Sequence, residues 1–214
     1  MAAAPARGRL FDRALKPAVF LLSLGPFAYL FWAAVANELG PNPAEALIRS
    51  LGEWALRFLC LTLAVTPARV MFNLPRLALL RRMLGLFTYF YALLHLLGYA
   101  AFDMGFDWGE IVRDIPKRPF ILVGFTAFVL LTPLAATSFN RAIRMMGARR
   151  WQQLHRLVYA VAGLVILHFF WMRAGKNDFA DVAVYGAILA CLLGWRVWRR
   201  FAAPRTARRG VMSR

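Results

Sequence analysis

Three stretches of this chain run for about 20 residues or more without a charged side chain: Pro17–Asn37, Met83–Phe102 and Pro119–Asn140. A helix of about 20 residues crosses the hydrocarbon of a bilayer, and inside it only a helix or a closed barrel satisfies its own backbone. These runs are continuously apolar rather than alternating, so they specify membrane-crossing helices. Three further stretches are shorter or interrupted. Leu51–Pro67 carries Glu53 and Arg57, Leu157–Met172 is bracketed by Arg156 and Arg173, and Val182–Trp195 by Asp181 and Arg196. Long flanking side chains reach the interface, where Trp54, Trp171 and Trp195 mark plausible boundaries. The expected fold is therefore an all-α integral membrane protein, a six-helix transmembrane bundle over residues 17–195 with basic tails at 1–16 and 196–214. A chain 61% hydrophobic and 17% charged agrees with that reading and excludes disorder.

The formal charge of +17 would suggest nucleic acid in a soluble protein. Here its placement decides. With six spans, 20 of the 27 basic residues fall in the two tails and in the loops after the second and fourth spans. Nine of the ten acids fall on the other side, Asp12 being the exception. By the positive-inside bias both termini are cytoplasmic. The charge is an orientation signal; the expected surroundings are lipid, with no nucleic acid.

Ala34-Val35-Ala36 behind a basic start resembles a cleavable secretory signal. The apolar stretch exceeds the usual length of about 7–15 residues, so the first span is expected to be retained. Cys60 and Cys191 lie apart in apolar runs without metal-binding spacing and read as small packing residues. No internal repeat, soluble domain or phosphate-binding glycine motif is evident. The longest outward loop, Asp103–Arg118, is acidic and suits docking.

His95, His155 and His168 are the chain's three histidines. An ionisable residue at membrane depth is a functional candidate by default, and neutral imidazole is a standard axial ligand of haem iron. His95 lies 13 residues beyond Arg82 and His168 12 beyond Arg156. At about 1.5 Å per residue both reach about 18–20 Å from the cytoplasmic edge, on helices running in the same direction. They are the preferred haem pair. The bland reading is a hydrogen bond to a neighbouring helix. His155, at the cytoplasmic entrance of the fifth span, has no fourth histidine to pair with; Arg81 stands at the corresponding depth. His155 is about 140° off the face of His168 in an ideal helix, so both serve one haem stack only if that helix is distorted near its start. A second, inner haem is therefore less supported than the mid-membrane one.

Gly98, Ala162 and Gly163 are candidates for admitting a flat macrocycle, or ordinary helix packing. Arg69, Arg76, Arg81, Arg82, Arg149 and Arg150 are candidates for haem propionates, though most read as topology determinants. Arg57 is the arginine most in need of a partner. Phe169-Phe170-Trp171 reads as an interfacial aromatic belt before it reads as an electron exit.

The stretches LGPNPAEALIRSLGEWALRFL (39–59), RRMLGLFTYFYALLHLLGY (81–99), FDWGEIVRDIPKRPFILVGF (106–125) and RRWQQLHRLVY (149–159) closely resemble the MsrQ (YedZ) family. The resemblance covers roughly residues 10–200. It implies a ferric-reductase-like transmembrane domain in a bacterial inner membrane that passes electrons outward through b-type haem. The implied donor is the quinone pool or a cytoplasmic flavin reductase. The implied recipient is MsrP, a periplasmic molybdopterin enzyme that reduces methionine sulfoxide in oxidised proteins, in a heterodimer. FMN is implied as a further cofactor. In the wider superfamily the third and fifth helices each carry two histidines for two stacked haems. His95 matches the outer ligand of the third helix, and His155 and His168 match the inner and outer ligands of the fifth. Arg81 occupies the remaining inner position, which puts the second haem in doubt. A stand-alone ferric reductase, or a small non-redox transporter or assembly factor, are the competing readings.

Overall fold

Six helices among the described residues are long and apolar enough to cross a membrane: Ala14–Val35, Pro43–Met71, Arg81–Asp103, Pro119–Ala136, Ala148–Ala174 and Ala180–Ala202. The computed structural model describes residues 6–202 other than Lys176. The outer parts of the expected tails, including Arg205, Arg208, Arg209 and Arg214, lie outside the described residues. An even number of crossings brings Ala6 and Ala202 to one end of the bundle, here called the termini end. The opposite end is the far end.

Helix α1 (Ala6–Val35) carries Pro17 and Pro26. Next to Pro26, the Tyr91 hydroxyl inserts into the helical ladder: Phe27 N–H donates to it at 3.0 Å, and it donates to the Ser23 carbonyl at 2.7 Å. Tyr91 is fully buried, so this splice fastens α1 to its neighbour.

Helix α2 (Pro43–Met71) starts on an Asn42 cap whose side chain accepts from Glu45 N–H, with Pro43 at the first helical position. Glu53 and Arg57, the two charges inside its apolar stretch, pair across one turn at 2.9 Å. Helix α3 (Arg81–Gly98) returns to the far end and widens into a π-helical turn over Tyr99–Asp103. There α4 (Trp108–Lys117), capped by Asp107, lies as a short amphipathic helix with Ile111 buried and Trp108 and Val112 exposed.

Helix α5 (Pro119–Ala136) crosses to the termini end, followed by α6 (Asn140–Met146) and α7 (Ala148–Leu154). The chain then turns at His155–Arg156 before α8 (Leu157–Ala174) crosses back. Helix α9 (Ala180–Ala202) completes the bundle, tied to α2 where Arg196 donates to the Leu63 carbonyl. The main core joins α2, α5, α8 and α9 through Leu59, Leu63, Leu131, Leu134, Val161 and Leu189.

Candidate functional site

His95 on α3 and His168 on α8 face each other with ring centroids 6.2 Å apart and planes at 78°. Both line a cavity of about 290 Å³ between α2, α3, α5 and α8. His95 Nδ1 lies 2.8 Å from the carbonyl of Ile48, and His168 Nδ1 lies 2.6 Å from that of Phe120. A carbonyl only accepts, so each Nδ1 carries the proton and each Nε2 keeps its lone pair. Carbonyl partners of this kind orient metal-binding imidazoles and fix their tautomer.

Each ring reaches its carbonyl across a glycine. A Cβ at Gly52 would stand 3.0 Å from His95 Nδ1, and one at Gly124 would stand 2.7 Å from His168 Nδ1. Gly52 follows Ile48 by one helical turn, and Gly124 follows Phe120 by one turn. The two histidines therefore dock in the same way on two different helices.

This equivalence extends over the whole cavity. Every α2 residue on its wall has an α5 counterpart 72 positions later: Ile48 with Phe120, Gly52 with Gly124, Ala55 with Ala127, Leu59 with Leu131. Every α3 residue on the wall has an α8 counterpart 73 positions later, His95 with His168 and Ala92 with Val165 among them. The expectation of no internal repeat is thus corrected. Helix pairs α2–α3 and α5–α8 repeat one hairpin, both copies running far end to termini end and back. Identity is confined to a few positions because most wall sites need only a small or apolar side chain. Gly52, Gly124 and the two carbonyls escaped the sequence reading; comparing the chain with itself at this offset is the signal that finds them. Of the small residues expected to admit a flat ligand, Gly98 packs against Ile48, and a Cβ at Gly163 would meet nothing within 4 Å.

The two halves differ in polarity. Arg49, Glu53, Thr88 and Tyr99 of the first correspond to Ile121, Phe125, Val161 and Met172 of the second. At the far end Tyr99 Oη donates to Asp114 at 2.6 Å, and Arg118 grips the same carboxylate through Nε and Nη2. These bonds hold the Asp114 carboxyl below the usual carboxylate range and raise the Arg118 guanidinium. Arg57 has its partners: Glu53, the Tyr185 hydroxyl at 3.0 Å and the Trp54 ring. Buried Arg173 also approaches Glu53, at 3.8 Å, and pairs with Asp178 and Asp181 across the α8–α9 turn. Of the Phe169-Phe170-Trp171 run, read as an aromatic belt before an electron exit, Phe169 is buried on the cavity wall, whereas Phe170 and Trp171 are exposed.

His155 lies apart from this site. The helix break at residues 155–156 supplies the distortion that the helical phase demands of it, yet His155 does not line the cavity. Its Nε2 lies 3.1 Å from Thr137 Oγ1, whose own proton goes to the Pro133 carbonyl at 2.7 Å. Nε2–H is therefore the donor to Thr137. The Trp151 ring covers the imidazole at 3.9 Å between centroids and is held by the Thr137 carbonyl. Arg81 is exposed at the first residue of α3. None of Arg69, Arg76, Arg81, Arg82, Arg149 and Arg150 lines the cavity.

The donor set tests what the cavity suits. Among the described residues no three His, Cys, Asp or Glu side chains converge on a metal-binding point. Two facing imidazoles suffice only for a metal that brings its remaining ligands with it, as iron does in a porphyrin. Imidazoles on opposite sides of one iron have centroids about 6–6.5 Å apart, from metal–nitrogen bonds of about 2.0 Å each and the ring radius. The observed 6.2 Å fits.

Residues 51–167 match the family described as ferric reductase like transmembrane component. A protein of Polaromonas naphthalenivorans named protein-methionine-sulfoxide reductase heme-binding subunit MsrQ is 66% identical over 92% of this chain and 90% of its own length. The chain belongs to the MsrQ family. Proteins bearing the same name from Ralstonia nicotianae and Bordetella pertussis are 53% and 50% identical, over 87% and 96% of this chain and 86% and 100% of their own. No solved structure matches the chain. Six apolar helices and MsrQ membership together make it a multi-pass membrane protein.

Proposed function

We propose that this chain is the haem b-binding electron-transfer subunit of a periplasmic methionine-sulfoxide reductase system in the bacterial inner membrane. The observation that carries the reading is the His95–His168 pair, facing across an apolar cavity at the separation two axial ligands require. The relatives' shared name as a heme-binding subunit supports it. His95 and His168 would hold a haem there, which would supply one-electron chemistry.

The chain's own residues do the positioning. His95 and His168 offer Nε2, and the carbonyls of Ile48 and Phe120 keep the proton on Nδ1. Gly52 and Gly124 leave the room in which each imidazole lies. Leu59, Leu131 and Val161 are almost wholly buried and exclude water at the termini end of the cavity.

In this reading the basic termini face the cytoplasm and the far end faces the periplasm. Electrons enter from the quinone pool or a cytoplasmic flavin reductase and leave toward an MsrP-like molybdopterin reductase, its docking surface being the acidic 103–118 segment. FMN belongs to the same reading as a family cofactor. His155 with Arg81 is the candidate place for a second haem.

The test is an optical spectrum of the purified chain with haem stoichiometry, followed by reoxidation with methionine sulfoxide in the presence and absence of the periplasmic reductase. Soret and α bands, and reoxidation that depends on the reductase, are expected. A colourless protein after haem-replete expression sinks the cofactor assignment. Reoxidation unchanged without the reductase sinks the partner assignment.

A further inference from the structure

The wall of the His95–His168 cavity changes character along the membrane normal. At the termini end it consists of Leu59, Leu131, Val161 and Thr88, exposed by 2%, 7%, 1% and 3%. The Thr88 hydroxyl already donates to the Leu84 carbonyl, so this end presents no free donor. At the far end the wall carries the cations Arg49 and Arg118 together with Glu53, Tyr99 and Asp103. A ligand with two carboxylates and an otherwise apolar body meets opposite conditions at the two ends. Burying a carboxylate among the leucines costs several kcal/mol, whereas an arginine fork returns charge-assisted hydrogen bonds.

We infer that the cavity takes a tetrapyrrole dicarboxylate with both carboxylates turned to the far end, where Arg49 and Arg118 receive them. The inference rests on the haem reading above and adds the orientation of the ligand and the residues that set it. Arg49 directly follows Ile48, whose carbonyl holds His95, and Arg118 stands two residues before Phe120, whose carbonyl holds His168. One cation thus stands beside each imidazole dock, on opposite walls. They are not repeat counterparts, since the position equivalent to Arg49 is Ile121. Each half of the site supplies its arginine from a different place.

Both guanidiniums keep bonding capacity. Arg49 reaches Glu45 at 3.4 Å on a partly exposed surface, a weak contact. Arg118 engages Asp114 through Nε and Nη2, which leaves Nη1, and stays positioned by the rings of Tyr99 and Phe120 at 5.9 Å each. Of the two acids on the wall, Glu53 is shared between Arg57 and Arg173, and Asp103 lies within electrostatic reach of Arg118. Arg69, Arg76, Arg81, Arg82, Arg149 and Arg150, at the termini end, lie off the cavity wall and have no part in this contact.

The experiment titrates the detergent-solubilised, haem-depleted full chain with protohaem and with its dimethyl ester, read by the Soret band. The ester keeps the macrocycle and loses both charges. The wild type is expected to favour protohaem over the ester, and Arg49→Gln with Arg118→Gln to reduce that preference about tenfold per arginine. Arg81→Gln with Arg82→Gln is expected to leave it unchanged. Asp114→Asn, which breaks the Arg118 ion pair but keeps the cation, separates loss of the charge from disturbance of the fold and is expected to retain the preference. A preference kept in the Arg49/Arg118 variants and lost in the Arg81/Arg82 variant overturns the orientation. Uptake of neither compound by the wild type overturns the haem reading instead.

Discussion

Gly124 lies so close to His168 that a Cβ at this position would stand 2.7 Å from Nδ1 and 2.8 Å from Cε1 of the ring. The ring cannot retreat without losing the Phe120 carbonyl at 2.6 Å. Overpacking of this kind costs on the order of 1–3 kcal/mol. Gly124→Ala is therefore expected to weaken haem retention at least about fivefold. Gly52→Ala, where the corresponding approach is 3.0 Å, loses less. Haem-to-protein ratios of the two purified variants check the order; a greater loss at Gly52 would contradict it.

His95→Ala and His168→Ala each remove one of the two imidazoles on the cavity wall, and each is expected to abolish the main Soret band. His155→Ala removes a ring bonded to Thr137 and Trp151, outside the cavity, and is expected to leave that band in place. Equal and complete loss in all three variants would show that His155 takes part in the same site.

Thr137→Val removes the acceptor of the His155 Nε2–H and the hydroxyl bonded to Pro133. A partly buried hydrogen bond contributes about 1 kcal/mol, so a lowered melting temperature in detergent is expected with an unchanged haem spectrum. A spectral shift without destabilisation would argue for a role in the haem site.

Arg173 is 6% exposed at its side chain and serves Glu53, Asp178 and Asp181, which are 26%, 50% and 56% exposed. Removing one partner of a fully buried pair costs about 3–5 kcal/mol, but these acids retain water, which lowers the expected cost of Arg173→Leu to about 1–3 kcal/mol. Thermal unfolding followed by helical circular dichroism measures it. Stability equal to wild type would mean that solvent replaces the arginine fully.

The Asp114–Arg118 pair makes a pH-dependent contribution whose sign follows from the depressed carboxyl. The contribution is present above the unfolded carboxylate value of about 3.9 and is lost as pH falls through the lower folded value. Asp114→Asn should accordingly lower the melting temperature at pH about 7 and have little effect at strongly acid pH. An equal effect at both would assign the loss to the Tyr99 hydrogen bond rather than to charge.

The six spans were readable because apolar runs and flanking arginines record them directly. Their ends were less so. Helix α2 starts at Pro43 on the Asn42 cap, ahead of the apolar run, and Glu53 within it approaches Arg173 from a distant position, a pairing that a hydropathy run cannot show. Likewise α9 continues to Ala202 through Arg196, Arg199 and Arg200, where the run itself ends at Trp195. Distance to the basic flanks singles out His95 and His168, and the structure brings these two rings together. Arg49 and Arg118 read as ordinary loop charges until the cavity wall is assembled. The repeat stayed hidden for a related reason: its common requirement at residues 52 and 124 is the absence of a side chain.

A cavity built from two copies of one hairpin presents matched small and apolar positions to either face of a flat guest, apart from the polar differences at Arg49, Glu53, Thr88 and Tyr99. Ala55 and Leu59 on one wall are matched by Ala127 and Leu131 on the other. Such a host discriminates poorly between a porphyrin inserted one way and the same porphyrin flipped over. Flipping about the axis between the carboxylates keeps both at the arginine rim and exchanges only the vinyl-bearing edges. Were haem bound as proposed, two insertional isomers would be the expected outcome, checked by doubled haem-methyl resonances in the oxidised protein.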